Sequence, residues 1–133
     1  MTTMENLWPE LDLEIEKRSS KKIMLEQAEF LMKSTKNILE ATVTTHTYNN
    51  SLDHHFNVVA PQLDGYSCAL FFVRQNGLIM YPCTLFFDGT GKVLQNEETF
   101  IEELKNVFSH PTTRNIIASL YAQSRDEKTS FQE

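Results

Sequence analysis

Residues 66–87, YSCALFFVRQNGLIMYPCTLFF, decide the fold. Asn76-Gly77 lies between two alternating apolar runs, the strongest short-range hairpin signal, because a tight two-residue turn takes positive φ at both central positions. The spacing predicts two long strands, and both faces of the resulting hairpin read as apolar. Such a sheet needs two covers, whereas the helices encoded elsewhere supply about one. The second cover is expected to be a partner subunit, a ligand or the N-terminal segment.

Working outward, residues 41–48 and 53–60 alternate with period two and predict two more strands, joined by a loop at residues 49–52. Pro61 ends the second of these, and Asp64-Gly65 turns into the next strand. Asp88, Gly89, Thr90 and Gly91 close the fourth strand and open a short fifth over residues 92–95. Residues 20–40 predict a helix, since Met24, Leu31 and Ile38 recur every seven residues, as do Leu25, Met32 and Leu39. Asn96 caps a second helix with Glu97 and Glu98 in its first turn, and Phe100, Ile101, Leu104, Val107 and Phe108 on one face. Ser109-His110-Pro111 breaks it, and a last helix runs to about Gln123 before a frayed tail at residues 125–133.

The expected class is therefore α+β: an N-terminal helix, a four- to five-stranded antiparallel meander, and a C-terminal αα-hairpin packed on one sheet face. At 133 residues the chain makes a single domain with one core. Residues 1–19 form a lead-in open to three readings. Pro9 with acids after it suits a helix start, Leu11, Leu13 and Ile15 alternate with acids as a strand would, and the composition around Trp8 also suits a docking arm.

The three turns set a register. Asn76-Gly77 pairs Arg74 with Ile79, Phe72 with Tyr81, Leu70 with Cys83 and Cys68 with Leu85. Asp64-Gly65 pairs Asn57 with Phe72 and His55 with Arg74, and a loop centred on Asn50-Ser51 pairs His46 with His55. One face then collects Val43, Phe56, Val58, Ala60, Ala69, Phe71, Val73, Leu78, Met80 and Phe86 for the helices to cover. The other is apolar at one end (Cys68, Leu70, Phe72, Cys83 and Leu85). At its other end His46, His55 and Arg74 share a row, with Asn57 and Tyr81 in the next.

That row is where ionisable groups converge. It reads either as a solvated polar patch or as a cationic site for a carboxylate, a phosphate or an acidic partner. His46 and His55 alone fall short of a zinc ligand set, His54 points to the opposite face, and Arg74 would repel a metal ion. Cys68 and Cys83 are diagonal neighbours, too far apart for a disulfide, and are expected as buried thiols.

Other motifs are incomplete. Gly89-Thr90-Gly91-Lys92 lacks the upstream glycine of a phosphate loop, with Phe86 in its place and Val93 where Ser or Thr should follow. Asp88 onward fails as a calcium loop at Thr90 and Lys92. The helix-break-helix at residues 97–125 begins with four glutamates, which would repel nucleic-acid phosphates. The net charge of −6 argues the same way. No apolar run reaches the roughly 20 residues of a membrane span, and residues 1–10 do not read as a signal peptide, so a cytoplasmic location is expected.

With no cofactor motif and no complete catalytic constellation, the expected function is a non-catalytic interaction or regulatory module of the antitoxin, immunity or chaperone kind. It would dock on a protein partner or form a homodimer through a sheet face or N-terminal helix, with Leu70, Phe72, Ile79 and Leu85 at the interface. The alternative is a small-molecule domain binding an anion at Arg74, with His46, His55, Asn57 and Tyr81 around it. An enzyme would use His46 or His55 as base and Arg74 as charge stabiliser.

Overall fold

The computed structural model describes residues 4–11, 13 and 18–130, with side chains described to residue 127. The order is α1 (Ser20–Ser34), β1 (Glu40–Tyr48), β2 (Ser51–Ala60), a 3-10 turn (Pro61–Leu63), β3 (Tyr66–Asn76), β4 (Cys83–Phe87), β5 (Thr90–Leu94), α2 (Glu97–Ser109) and α3 (Pro111–Ser130). The five strands form one antiparallel sheet in the order β1-β2-β3-β4-β5. Sequential antiparallel neighbours need only short turns, and two of the four connections are two-residue turns, at Asn49-Asn50 and Asp88-Gly89. The expected α+β meander is the observed fold.

Local chemistry sets the element ends. Ser19 caps α1 by accepting a hydrogen bond from the Lys22 amide at 3.1 Å. The helix stops at Ser34, well short of the expected residue 40, because Lys36 and Asn37 take positive φ (52° and 64°). The Thr35 hydroxyl donates to the Leu31 and Leu39 carbonyls and accepts from the Leu39 amide, tying the helix end to the start of β1. Asn96 caps α2, as the sequence led us to expect, and the Thr99 side chain accepts in return from the Asn96 amide. Helix α3 runs on to Ser130, past the predicted end at Gln123 and into the residues expected to fray. Residues 4–11 and 13 are neither helix nor strand, and the rest of the expected lead-in lies outside the described residues.

The three helices cover one face. Its core joins Ile23 and Met24 of α1, Phe100, Leu104 and Val107 of α2 and Leu120 of α3 to Phe56, Val58, Phe71, Val73, Leu85 and Leu94 of the sheet. Phe56 and Phe71 stack at 5.2 Å between ring centroids, with Phe108 of α2 tilted against both.

Three registers differ from expectation, and the differences move the site. The β1–β2 turn is Asn49-Asn50, with both residues at positive φ (44° and 66°), so Tyr48 faces Ser51 and each pairing shifts by two residues. The shift is even and preserves the faces. Between β2 and β3 the ladder skips a residue: Phe56 opposes Phe71 but Asn57 opposes Ala69. Leu70 is the bulged extra residue and turns into the core with Phe71, while Ala69 becomes exposed.

The largest change follows Asn76. Only Gly77 takes positive φ there (59°), β3 ends at Asn76, and β4 begins at Cys83. The tight hairpin is replaced by a six-residue loop, 77–82, closed at its start by a hydrogen bond from the Ile79 amide to the Asn76 carbonyl. Pro82, which has no N–H to give a ladder, immediately precedes the first paired residue. Gln75 now faces Cys83 and Phe72 faces Phe86. This shift is odd, so β4 presents the opposite set of side chains from those expected.

Candidate functional site

The odd shift and the bulge redistribute the apolar residues. Leu70, Cys83 and Leu85 all lie in the core, at 8 %, 2 % and 2 % exposure, so Leu70 and Leu85 are not available at a surface in this fold. Ile79 sits exposed in the 77–82 loop instead of on a strand. Cys68 lies opposite core residue Val58, half-buried, and both cysteines are free thiols. Burial pushes the Cys83 thiol up to about 11. Tyr81 also leaves the expected row: its hydroxyl donates to the Arg18 carbonyl at 3.0 Å beside Phe100, and burial pushes the phenol up to about 12.

Phe72 alone of the expected interface residues remains on the uncovered face, where Phe86 joins it. Four rings from four strands form a continuous ladder there. His46 meets His55 edge-on at 5.2 Å, His55 stacks on Phe72 at 5.0 Å, and Phe72 stacks on Phe86 at 4.7 Å. The guanidinium of Arg74 lies over both phenylalanine rings, 5.7 and 5.4 Å from their centroids. On the β5 side the Phe86 ring covers Gly91. A Cβ added to that glycine would come within 2.8 Å of the ring, so the bare backbone is what allows the ring to lie flat.

Arg74 is not a free cation. Its Nε and Nη2 donate to the two carboxylate oxygens of Asp53 at 2.8 and 2.9 Å, a bidentate pair across β2 and β3. The bonds to Arg74 hold the Asp53 carboxyl below its ordinary range, against the opposing effect of burial. Asp53 was not anticipated, because the expected register put His55 opposite Arg74; that register is set by the β2–β3 connection, which spans residues 61–65 with a 3-10 turn and is not a two-residue turn at Asp64-Gly65. Asn57 is likewise engaged, donating to Thr44 Oγ1 at 3.1 Å and weakly to Thr42 Oγ1 at 3.4 Å. The uncovered face thus brings His46, His55, Asn57 and Arg74 together with Phe72, Phe86 and Asp53. Beside His55, Phe72 and Phe86 it dips into a shallow depression of about 330 Å³.

A second polar group lies on the covered face at the same end of the sheet. His54, only 3 % exposed, has its Nδ1 2.9 Å from Thr45 Oγ1 and its Nε2 3.0 Å from Gln75 Oε1. Gln75 spends its amide nitrogen on the Gly77 carbonyl, so Oε1 is the atom that faces His54 and can only accept. Nε2 therefore carries the proton and Nδ1 accepts from Thr45. Burial lowers the His54 pKa, and the neutral ring completes the row.

Among the described residues no group of three or more His, Cys, Asp or Glu is placed to hold a metal ion, and no helix is long and apolar enough to cross a membrane. No family model, no curated protein and no solved structure matches this chain.

Proposed function

We propose that this chain is a non-catalytic protein-interaction module that docks through the margin of β1 and the adjoining uncovered sheet face. The observation that carries the reading is the β1 edge. It is nine residues long, pairs with β2 without a register break, and among the described residues has no strand on its other side. Its sequence EATVTTHTY contains no proline and no lysine, and the seven residues from Thr42 to Tyr48 include four threonines, a valine and a tyrosine. Edges left in water are ordinarily guarded by bulges, prolines, lysines or brevity. The opposite edge shows such guarding: β5 has five residues and carries Lys92, which pairs with Glu103 of α2 at 2.8 Å. An unguarded edge beside exposed rings suits main-chain pairing with an added strand, the backbone giving affinity and the face giving selectivity.

The partner would be an extended protein strand, and a second copy of β1 in a two-fold arrangement is the simplest form. The exposed Leu7, Trp8, Leu11 and Leu13 near the N-terminus offer a further apolar contact. The alternative of an anionic small molecule at Arg74 has less support, since Asp53 already occupies the guanidinium fork. The test is sedimentation velocity on the purified protein and on a Thr44→Lys, His46→Lys double variant. Both side chains point to the uncovered face, so folding should be preserved. A concentration-dependent wild-type dimer that the variant abolishes is expected; a variant that dimerises as well as wild type would remove the β1 edge from the interface.

A further inference from the structure

On the covered side of the sheet, α1 and α3 stand apart and leave a cleft of about 570 Å³. That is within the size range of sites for small organic ligands, about 300–1,000 Å³. Its floor is Phe56 and Leu70, the bulged residue, and its walls are Phe30 and Leu31 of α1 and Phe108 and Ile117.

Two nitrogen-bearing side chains of the lining, the amide of Gln27 on α1 and the guanidinium of Arg114 on α3, have no hydrogen-bond or ion-pair partner among the described residues, and Arg114 is exposed. In contrast to Arg74, Arg114 has no carboxylate beside it among those residues. The Thr113 hydroxyl is also unpaired, but it is closed off from solvent and does not open into the cleft. An apolar chamber with an amide and a free guanidinium fits a hydrocarbon body ending in an anionic oxygen group.

We propose that the α1–α3 cleft binds an amphipathic monocarboxylate, its apolar body against Phe56, Leu70 and Phe108 and its carboxylate held by Arg114. The site lies on the opposite side of the sheet from the interaction face and stands independently of it. Arg114 supplies charge and the forked donor that a carboxylate accepts. The aromatic and aliphatic walls supply affinity without chain-specific contacts, so selectivity falls on the head group and on the length the chamber admits.

Decanoate below its micellar concentration is the probe and decanol the neutral control, with binding followed by isothermal titration calorimetry and thermal shift. Wild type should bind decanoate saturably at one site, with decanol at least tenfold weaker. Arg114→Gln, at an exposed position, should keep the wild-type Tm and bring the two ligands to within threefold of each other. Ala118→Trp, which fills the cleft mouth from an exposed helix position, should lose both. No saturable decanoate binding to wild type would overturn the proposal, as would Arg114→Gln keeping the tenfold preference for the acid. Undiminished binding to a folded Ala118→Trp would place the ligand elsewhere and overturn it equally.

Discussion

Leu70→Ala probes the feature on which the assignment of faces turns. In a regular strand Leu70 would alternate with Phe71 and point to the uncovered side. The bulge opposite Phe56 and Asn57 instead turns it inward, to 8 % exposure. Truncation to alanine deletes three carbons, about 2.4 kcal/mol at about 0.8 kcal/mol per buried carbon. The further penalty for an enclosed void is small here, because the vacated space joins the cleft between α1 and α3, which Leu70 already lines. The expected loss is about 2.5 kcal/mol, near the low end of the range for buried leucines. At about 3–5 °C per kcal/mol for a chain of this length, the Tm should fall by about 10 °C. Urea unfolding followed by far-UV circular dichroism measures it, with an unchanged m-value showing that the native state keeps its compactness. Val93→Ala, 57 % exposed on the uncovered face, is the control and should cost less than about 0.5 kcal/mol. If Leu70→Ala is as mild as Val93→Ala, Leu70 is a surface residue, the bulge is misplaced, and the composition of both faces falls with it.

Arg74→Leu should cost about 1–3 kcal/mol at neutral pH, because it strands the Asp53 carboxylate, whose side chain is only 12 % exposed. The folded Asp53 pKa lies below its ordinary 3.8, so the pair's contribution is present above that value and is lost as pH falls through the folded one. A double-mutant cycle with Asp53→Asn should show coupling that vanishes in acid; coupling independent of pH would contradict the pairing. His54 titrates in a higher window. Its folded pKa lies below 6.5, so the unfolded chain binds the extra proton and stability declines as pH drops below about 6.5. His54→Gln should flatten the urea midpoint between pH 7 and pH 5, and an unchanged slope would show that His54 is not held neutral. With a thiol reagent at pH 8, half-buried Cys68 should react in the native protein and Cys83 only after unfolding; two equally fast thiols would contradict the core position of Cys83.

The parts of the fold legible in the sequence are those whose signals are local. The Asn96 cap, the break at Pro111 and the positive-φ bend at Asp64-Gly65 each depend on a few neighbouring residues, and each is found where the sequence puts it, although the strand pairing read from Asp64-Gly65 is not. The α1 end was hidden because the apolar heptads continue through Ile38 and Leu39. What stops the helix is the left-handed backbone at Lys36 and Asn37 together with the Thr35 hydroxyl, which bonds forward to Leu39. The Asn76-Gly77 signal misled for a different reason. A two-residue turn there would set residues 78–82 in the ladder, yet Pro82 cannot donate to one and Tyr81 is held on the core side by Arg18 and Phe100. Tertiary contacts made by a distant arginine carbonyl outweigh a local preference, which no window around Asn76 could show.

The candidate site shows how a sheet can keep a polar row on one face while its register changes. The turns at Asn49-Asn50 and at the β2–β3 connection alter pairings by two residues over the lower half of the sheet. His46, His55, Asn57 and Arg74 therefore stay on one face even though their partners change. The β3–β4 shift is odd, and it exchanges Cys83 and Leu85 for Thr84 and Phe86 on that face. This exchange removes the broad apolar patch that would have demanded a permanent cover, and leaves rings sandwiched between a histidine and an arginine. Phe72 and Phe86 each share their faces with ring or guanidinium neighbours, so much of their apolar area is already out of water. A face of this kind tolerates exposure and so suits a partner that comes and goes. Among the described residues no strand satisfies the β1 edge beside it, and its outer N–H and C=O groups are left to water or an added strand. The unmet bonding at that edge, more than the apolarity of the face, is therefore what would draw a partner to this side of the molecule.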